Sequence, residues 1–103
     1  MEKNTPHYDL AVIKSDVLRL RVSAFTSAAK TSARRLGLSF TEMQEVILKL
    51  QRNMLYKSMI TCANHRVWQD VYHINSHDLE IYIKVTYRPG GGPPAISFKE
   101  NNL

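Results

Sequence analysis

Leu79-Glu80-Ile81-Tyr82-Ile83-Lys84-Val85-Thr86-Tyr87 decides the fold class of this chain. Leu79, Ile81, Ile83 and Val85 alternate with Glu80, Tyr82, Lys84 and Thr86, the period of two that a β-strand imposes on its faces. The apolar set must pack on something, which predicts one buried face and one open face carrying Tyr82 and Lys84. Toward the amino terminus the period changes to that of helices. Ser39-Phe40-Thr41-Glu42 has the Ser-x-x-Glu form of a capping box. Phe40, Met43, Val46, Ile47 and Leu50 follow at helical spacing, predicting a helix that ends near Arg52. Another is expected from about Thr26 to Leu36, stopped by Gly37, with Arg34 and Arg35 at the negative end of its dipole. Leu10, Ile13, Val17 and Leu20 mark the first helix, with Thr5 as its N-cap and Pro6 in its first turn. Between the first two, Arg21-Val22-Ser23-Ala24 reads as a short edge strand.

Lys57 to Cys62, Val67 to His73 and Ile96 to Lys99 read as further strands, with Asn75-Ser76-His77-Asp78 as a turn. Arg88 to Pro94 is an irregular Pro- and Gly-rich connection. Pro93 and Pro94 cannot donate ladder hydrogen bonds, which predicts a short last strand. Helices first and strands afterwards indicate an α+β fold, three N-terminal helices packed on a C-terminal antiparallel sheet, as one domain over residues 1–103.

Apolar residues make up 44% of the 103 and charged residues 22%, a globular composition. The single cysteine, Cys62, leaves no internal disulfide and suits a reducing compartment. Met1 to Pro6 lacks the apolar run of a signal peptide, and no segment has the ~18 apolar residues of a membrane span. A cytoplasmic protein without membrane contact is the expectation. The formal charge is +5, and residues 1–55 carry nine basic against five acidic groups. That bias favours polyanions and is compatible with a nucleic-acid partner, although a merely soluble basic surface has the same composition.

If the strands are neighbours, Lys57, Gln69 and Tyr82 meet on one face, with Lys99 close by. Cleavage of RNA needs a base for the 2′-OH, positive charge at the phosphorus centre and an acid for the leaving 5′-oxygen. Lys57, Tyr82 and Lys99 can supply charge and protons, and Gln69 can orient a phosphate or a base edge. Lys84 on the same face and His65 join Lys99 as candidate RNA contacts. The bland alternative makes all of them ordinary exposed sheet residues. Trp68 and Tyr72 share strand parity and read as core or rim. Cys62, His65, His73 and His77 match no usual zinc-finger spacing, so no metal site or cofactor is expected. No Ser-His-Asp arrangement, HExxH motif or GxxxxGK[ST] loop is present.

Several blocks carry a specific resemblance: Thr5-Pro6-His7, Leu36-Gly37-Leu38, Tyr56-Lys57-Ser58-Met59, Trp68-Gln69-Asp70-Val71-Tyr72, Tyr82-Ile83-Lys84 and Ser97-Phe98-Lys99-Glu100. In this order they resemble the MqsR family of bacterial toxins, part of the wider RelE-like group. The resemblance spans nearly the whole chain and departs at residues 87–95. It implies a type II toxin-antitoxin protein involved in stress response and transcription regulation. The implied activity is an endoribonuclease that cuts messenger RNA without a metal, by 2′-OH transesterification at GC-containing triplets. The family's active-site lysine, glutamine, tyrosine and C-terminal lysine fall on Lys57, Gln69, Tyr82 and Lys99. The implied partner is a cognate antitoxin with zinc-binding and helix-turn-helix parts, through which alone operator DNA is reached. The alternative is a non-catalytic basic nucleic-acid-binding regulator, for which Arg34 and Arg35 matter more than Lys57.

Overall fold

The computed structural model of the chain describes residues 2–61 and 64–100, with the side chains of residues 61 and 64–66 left out. Three helices precede four long strands: α1 Leu10–Leu20, α2 Ser27–Arg35, α3 Phe40–Leu48, β2 Leu55–Thr61, β3 Asn64–Ser76, β4 Leu79–Tyr87 and β5 Pro94–Glu100. A two-residue strand, β1 Glu2–Lys3, completes an antiparallel sheet of order β1-β2-β3-β4-β5. The fold is α+β, as the change of hydrophobic period predicts.

The helix signals fail only at their ends. The N-cap of α1 is Asp9, whose carboxylate accepts from the Ala11 N–H at 2.8 Å, so the helix starts four residues after Thr5. The chain from Thr5 to Tyr8 is instead bound to the sheet. Asp70, fully buried on β3, accepts from the backbone N–H groups of His7 and Tyr8 and from the Ser58 hydroxyl, at 2.6 to 3.1 Å. Arg21–Ala24 is a turn of 3-10 helix and not an edge strand. Its backbone reverses at Arg21, whose φ is +53°. Thr26 caps α2, and Gly37, at φ +78°, follows its C-cap in a conformation that disfavours side chains. The capping box on α3 is complete, Ser39 and Glu42 each satisfying the other's backbone. That helix stops at Leu48, before Arg52, and a 3-10 turn at Arg52–Met54 leads into β2.

Ile13 and Val17 of α1, Ala29 and Ala33 of α2, and Met43, Val46 and Ile47 of α3 share one core with Tyr72, Ile74, Ile81, Ile83, Val85, Ile96 and Phe98. The sheet residues in that group are of one parity on each strand. All three helices therefore cover the same face of the sheet, and the other face is open. His77 and Asp78, at φ +55° and +60°, make the two-residue turn between β3 and β4 that right-twisted strands prefer. β5 is longer than the prolines suggest. It pairs with β4 from Pro94 opposite Tyr87 to Glu100 opposite Ile81, because Pro94 stands at the first position of the strand.

Candidate functional site

The open face is ordered in rows by strand register. His73 lies opposite Tyr82, and Tyr82 opposite Lys99. Two residues along, Lys57 lies opposite Val71, Val71 opposite Lys84, and Lys84 opposite Ser97. Met59 and Gln69 begin the next row. Lys57, Gln69, Tyr82, Lys84 and Lys99 thus share one face. At ~3.4 Å per residue, however, Gln69 is about 13 Å along the strands from the Tyr82 row. Tyr82 and Lys99 are immediate neighbours, with Lys57 and Lys84 one row away.

Lys57 reaches this face through a β-bulge. Leu55 pairs with Tyr72 and Lys57 with Val71, so Tyr56 is an extra residue with no partner of its own. Leu55 faces the core and Ser58 is buried against Asp70, which leaves both Tyr56 and Lys57 on the open side. Strict alternation forbids that pair of neighbours. Tyr56 is 54% exposed and lays its ring on His73, at 4.4 Å between centroids and 16° between planes. On the other side of the imidazole the Tyr82 ring stacks at 3.9 Å and 6°. The result is a three-ring stack running across β2, β3 and β4. Burial pushes the His73 pKa down against the opposing pull of Glu80, and its Nε2 is buried without a hydrogen-bond partner among the described residues. The ring between the two tyrosines thus favours its neutral form.

The Lys57 ammonium donates to the Glu2 carboxylate at 2.9 Å and lies 5.4 Å from the Tyr56 ring centre. That hydrogen bond holds the amine above its ordinary range, with the charges of Glu2, Tyr56 and Tyr82 adding to it and partial desolvation opposing it. Lys57 is accordingly a cation in this arrangement and unsuited to serve as a base at neutral pH. Tyr82, Lys84 and Lys99 also line an open groove of about 470 Å³ that runs over the β5 edge.

Other residues flagged by the sequence go elsewhere. Trp68 is at the rim of the helix side, stacked on His7 at 5.1 Å, and the Lys3 ammonium, 4.3 Å from its ring and 3.0 Å from the His7 Nδ1, sits over the same face. Tyr72 is fully buried, which raises its phenol pKa to about 12. His77 sits in the β3–β4 turn, its Nε2 3.5 Å from Glu42 and 3.7 Å from Glu45. Cys62 and the side chain of His65 lie outside the described residues. Among the described residues no group of three His, Cys, Asp or Glu is arranged to hold a metal ion, and no helix is long and apolar enough to cross a membrane. Sequence reasoning missed His73 as a member of the site, together with Tyr56 and Glu2. A bulge leaves no signature in hydrophobic period, and ring stacking across three strands depends on register.

Residues 5–100 match a family model described as motility quorum-sensing regulator, toxin of MqsA. The mRNA interferase toxin MqsR of Escherichia coli (strain K12) is 41% identical over 86 residues, covering 84% of this chain and 87% of that protein.

Proposed function

The chain belongs to the MqsR toxin family, and from that premise we propose a mechanism, a specificity and a partner for it. It is a toxin endoribonuclease, an mRNA interferase whose partner is a cognate antitoxin. The open face of the sheet receives single-stranded messenger RNA. Lys57 and Lys99 stabilise the negative charge that builds on the phosphorane-like transition state. Their fixed positive charge is what that step requires, and the raised pKa of Lys57 supports this role over a role as base.

In the reaction the 2′-oxygen attacks the adjacent phosphorus as its proton is removed. The bond from phosphorus to the 5′-oxygen then breaks, and that oxygen takes up a proton. Tyr82, in register with Lys99, exchanges one of these protons. The products are a 2′,3′-cyclic phosphate and a 5′-hydroxyl. Gln69 lies two rows from Tyr82, a distance suited to orienting a neighbouring nucleotide by its base edge. Lys84 and His65 complete the RNA contacts, and the preferred sites are GC-containing triplets. The antitoxin carries a zinc-binding part and a helix-turn-helix part, and reaches operator DNA on behalf of the complex. Any zinc then belongs to the partner.

One observation carries the residue assignment: Tyr82 and Lys99 are paired, with Lys57 a row away, on the sheet face that the helices leave open. The test is cleavage of purified messenger RNA by the wild type, Lys57→Ala and Tyr82→Phe, with analysis of product ends. Each variant is expected to lose ~100-fold or more in rate while keeping the fold. Unchanged cleavage by either variant removes that residue from the mechanism. Salt-sensitive binding without scission by the wild type favours the regulator reading instead.

A further inference from the structure

The groove at the β5 edge extends beyond the residues assigned above. Its far wall is the last turn of α2, contributing Ser32 and Arg35. α2 is held there by the residues just before it: Phe25 bridges to Ile96 of β5, and the N–H of its N-cap, Thr26, donates to the Ile96 carbonyl at 3.1 Å. The helix therefore runs beside the strand, and its carboxyl end comes up against the side of the sheet that carries Lys84 and Lys99. Three cations, Arg35, Lys84 and Lys99, line this one groove, with the hydroxyls of Ser32 and Ser97 between them. Glu100 is the single carboxylate in the lining.

None of the three cations makes an ion pair among the described residues. Lys57, by contrast, is bound to Glu2, and Arg19 to Asp16. Three like charges gathered in a groove, with hydroxyl donors and only one carboxylate among them, make a site for an anion that bridges them. Tyr82 lines the groove, so an RNA strand whose scissile phosphate lies beside Tyr82 and Lys99 can carry the phosphates on one side of the cut over this edge.

We propose that the groove between α2 and β5 is a second phosphate subsite, in which Arg35 and Ser32 hold the RNA backbone next to the scissile bond. The subsite rests on the endoribonuclease reading but makes a separate demand. Arg35 touches no reacting atom, so it acts in binding and positioning. Its neighbour Arg34 lines a different groove with Leu38 and Phe40 and serves as an internal control.

The measurement is fluorescence anisotropy of a labelled single-stranded RNA with every 2′-hydroxyl methylated, titrated at several salt concentrations. Arg35→Ala is expected to bind about fivefold more weakly, and its plot of log affinity against log salt to be shallower by ~0.7, the loss of one phosphate contact on a single strand. Arg34→Ala should match the wild type in both respects, and Arg35→Lys should restore most of the slope. On a cleavable substrate Arg35→Ala should raise KM with kcat unchanged. Ser32→Asp, which places a negative charge in the same groove, should weaken binding further and serves as a second variant if Arg35→Ala is poorly folded. A salt slope for Arg35→Ala equal to that of Arg34→Ala overturns the subsite alone. Tyr82→Phe cutting RNA like the wild type overturns the catalytic reading and leaves the subsite to stand or fall on its slope.

Discussion

A neutral imidazole held between two phenol rings can position its neighbours without taking part in proton transfer. His73 touches Tyr82 over a full ring face, and Tyr56 closes the other side. Removing the imidazole leaves Tyr82 free to rotate away from Lys99 and, on the proposed mechanism, from the scissile phosphate. His73→Ala is expected to lower kcat about tenfold or more, since small misplacements at a reacting centre are expensive. His73→Phe, which restores the stack and cannot titrate, should recover most of the rate. Parallel loss in both variants would instead assign His73 an acid–base role. Glu2 acts at the same scale in the opposite sense. Its carboxylate occupies the Lys57 ammonium, so on the assignment proposed above RNA has to displace it on binding.

At the level of elements, the buried Asp70 ties the backbone at His7 and Tyr8 to the sheet. Its carboxylate serves two backbone N–H groups and one hydroxyl. Asp70→Ala leaves those donors unsatisfied and should cost about 3 kcal/mol in urea unfolding, with early proteolysis in residues 1–9. A variant as stable as the wild type would show that the segment docks by other means. The sequence reading of elements fails where tertiary contacts of this kind intervene. Thr5-Pro6 is a sound helix start locally, but Asp70, more than sixty residues away, claims the backbone that follows. The capping box at Ser39 and the Gly37 stop were legible because they are satisfied within four residues. The alternation on β4 was legible because one face is fully covered, which put Tyr82 and Lys84 on the open side. Lys57 and Gln69 were harder, since the bulge at Tyr56 resets parity and the spacing of rows follows from register. Resemblance to the MqsR family supplied what periodicity lacked, and that resemblance named neither His73 nor Arg35.

Across the molecule, His7 and His73 resist protonation among the described residues. Burial is the main cause for both, joined at His7 by the Lys3 charge and opposed there by Asp70. Below pH 6.5, their ordinary value, the unfolded chain holds protons that the folded chain refuses, so acid favours unfolding. Stability measured by urea unfolding should be level from about pH 7 to 9 and decline as the pH falls below about 6.5. The pair His7→Gln, His73→Phe should flatten that decline, and an undiminished slope would place the titration elsewhere. The positive charge of +5 acts on encounter, drawing RNA toward the protein at low salt. One consequence follows from the position of β5 in the chain. Lys99 and the wall it forms belong to the last described strand to leave the ribosome. On the assignment proposed here, translation must pass codon 99 before the polypeptide can cut anything. A transcript severed upstream of that codon yields only stubs without this lysine, so a broken copy of the toxin's own message encodes a harmless product.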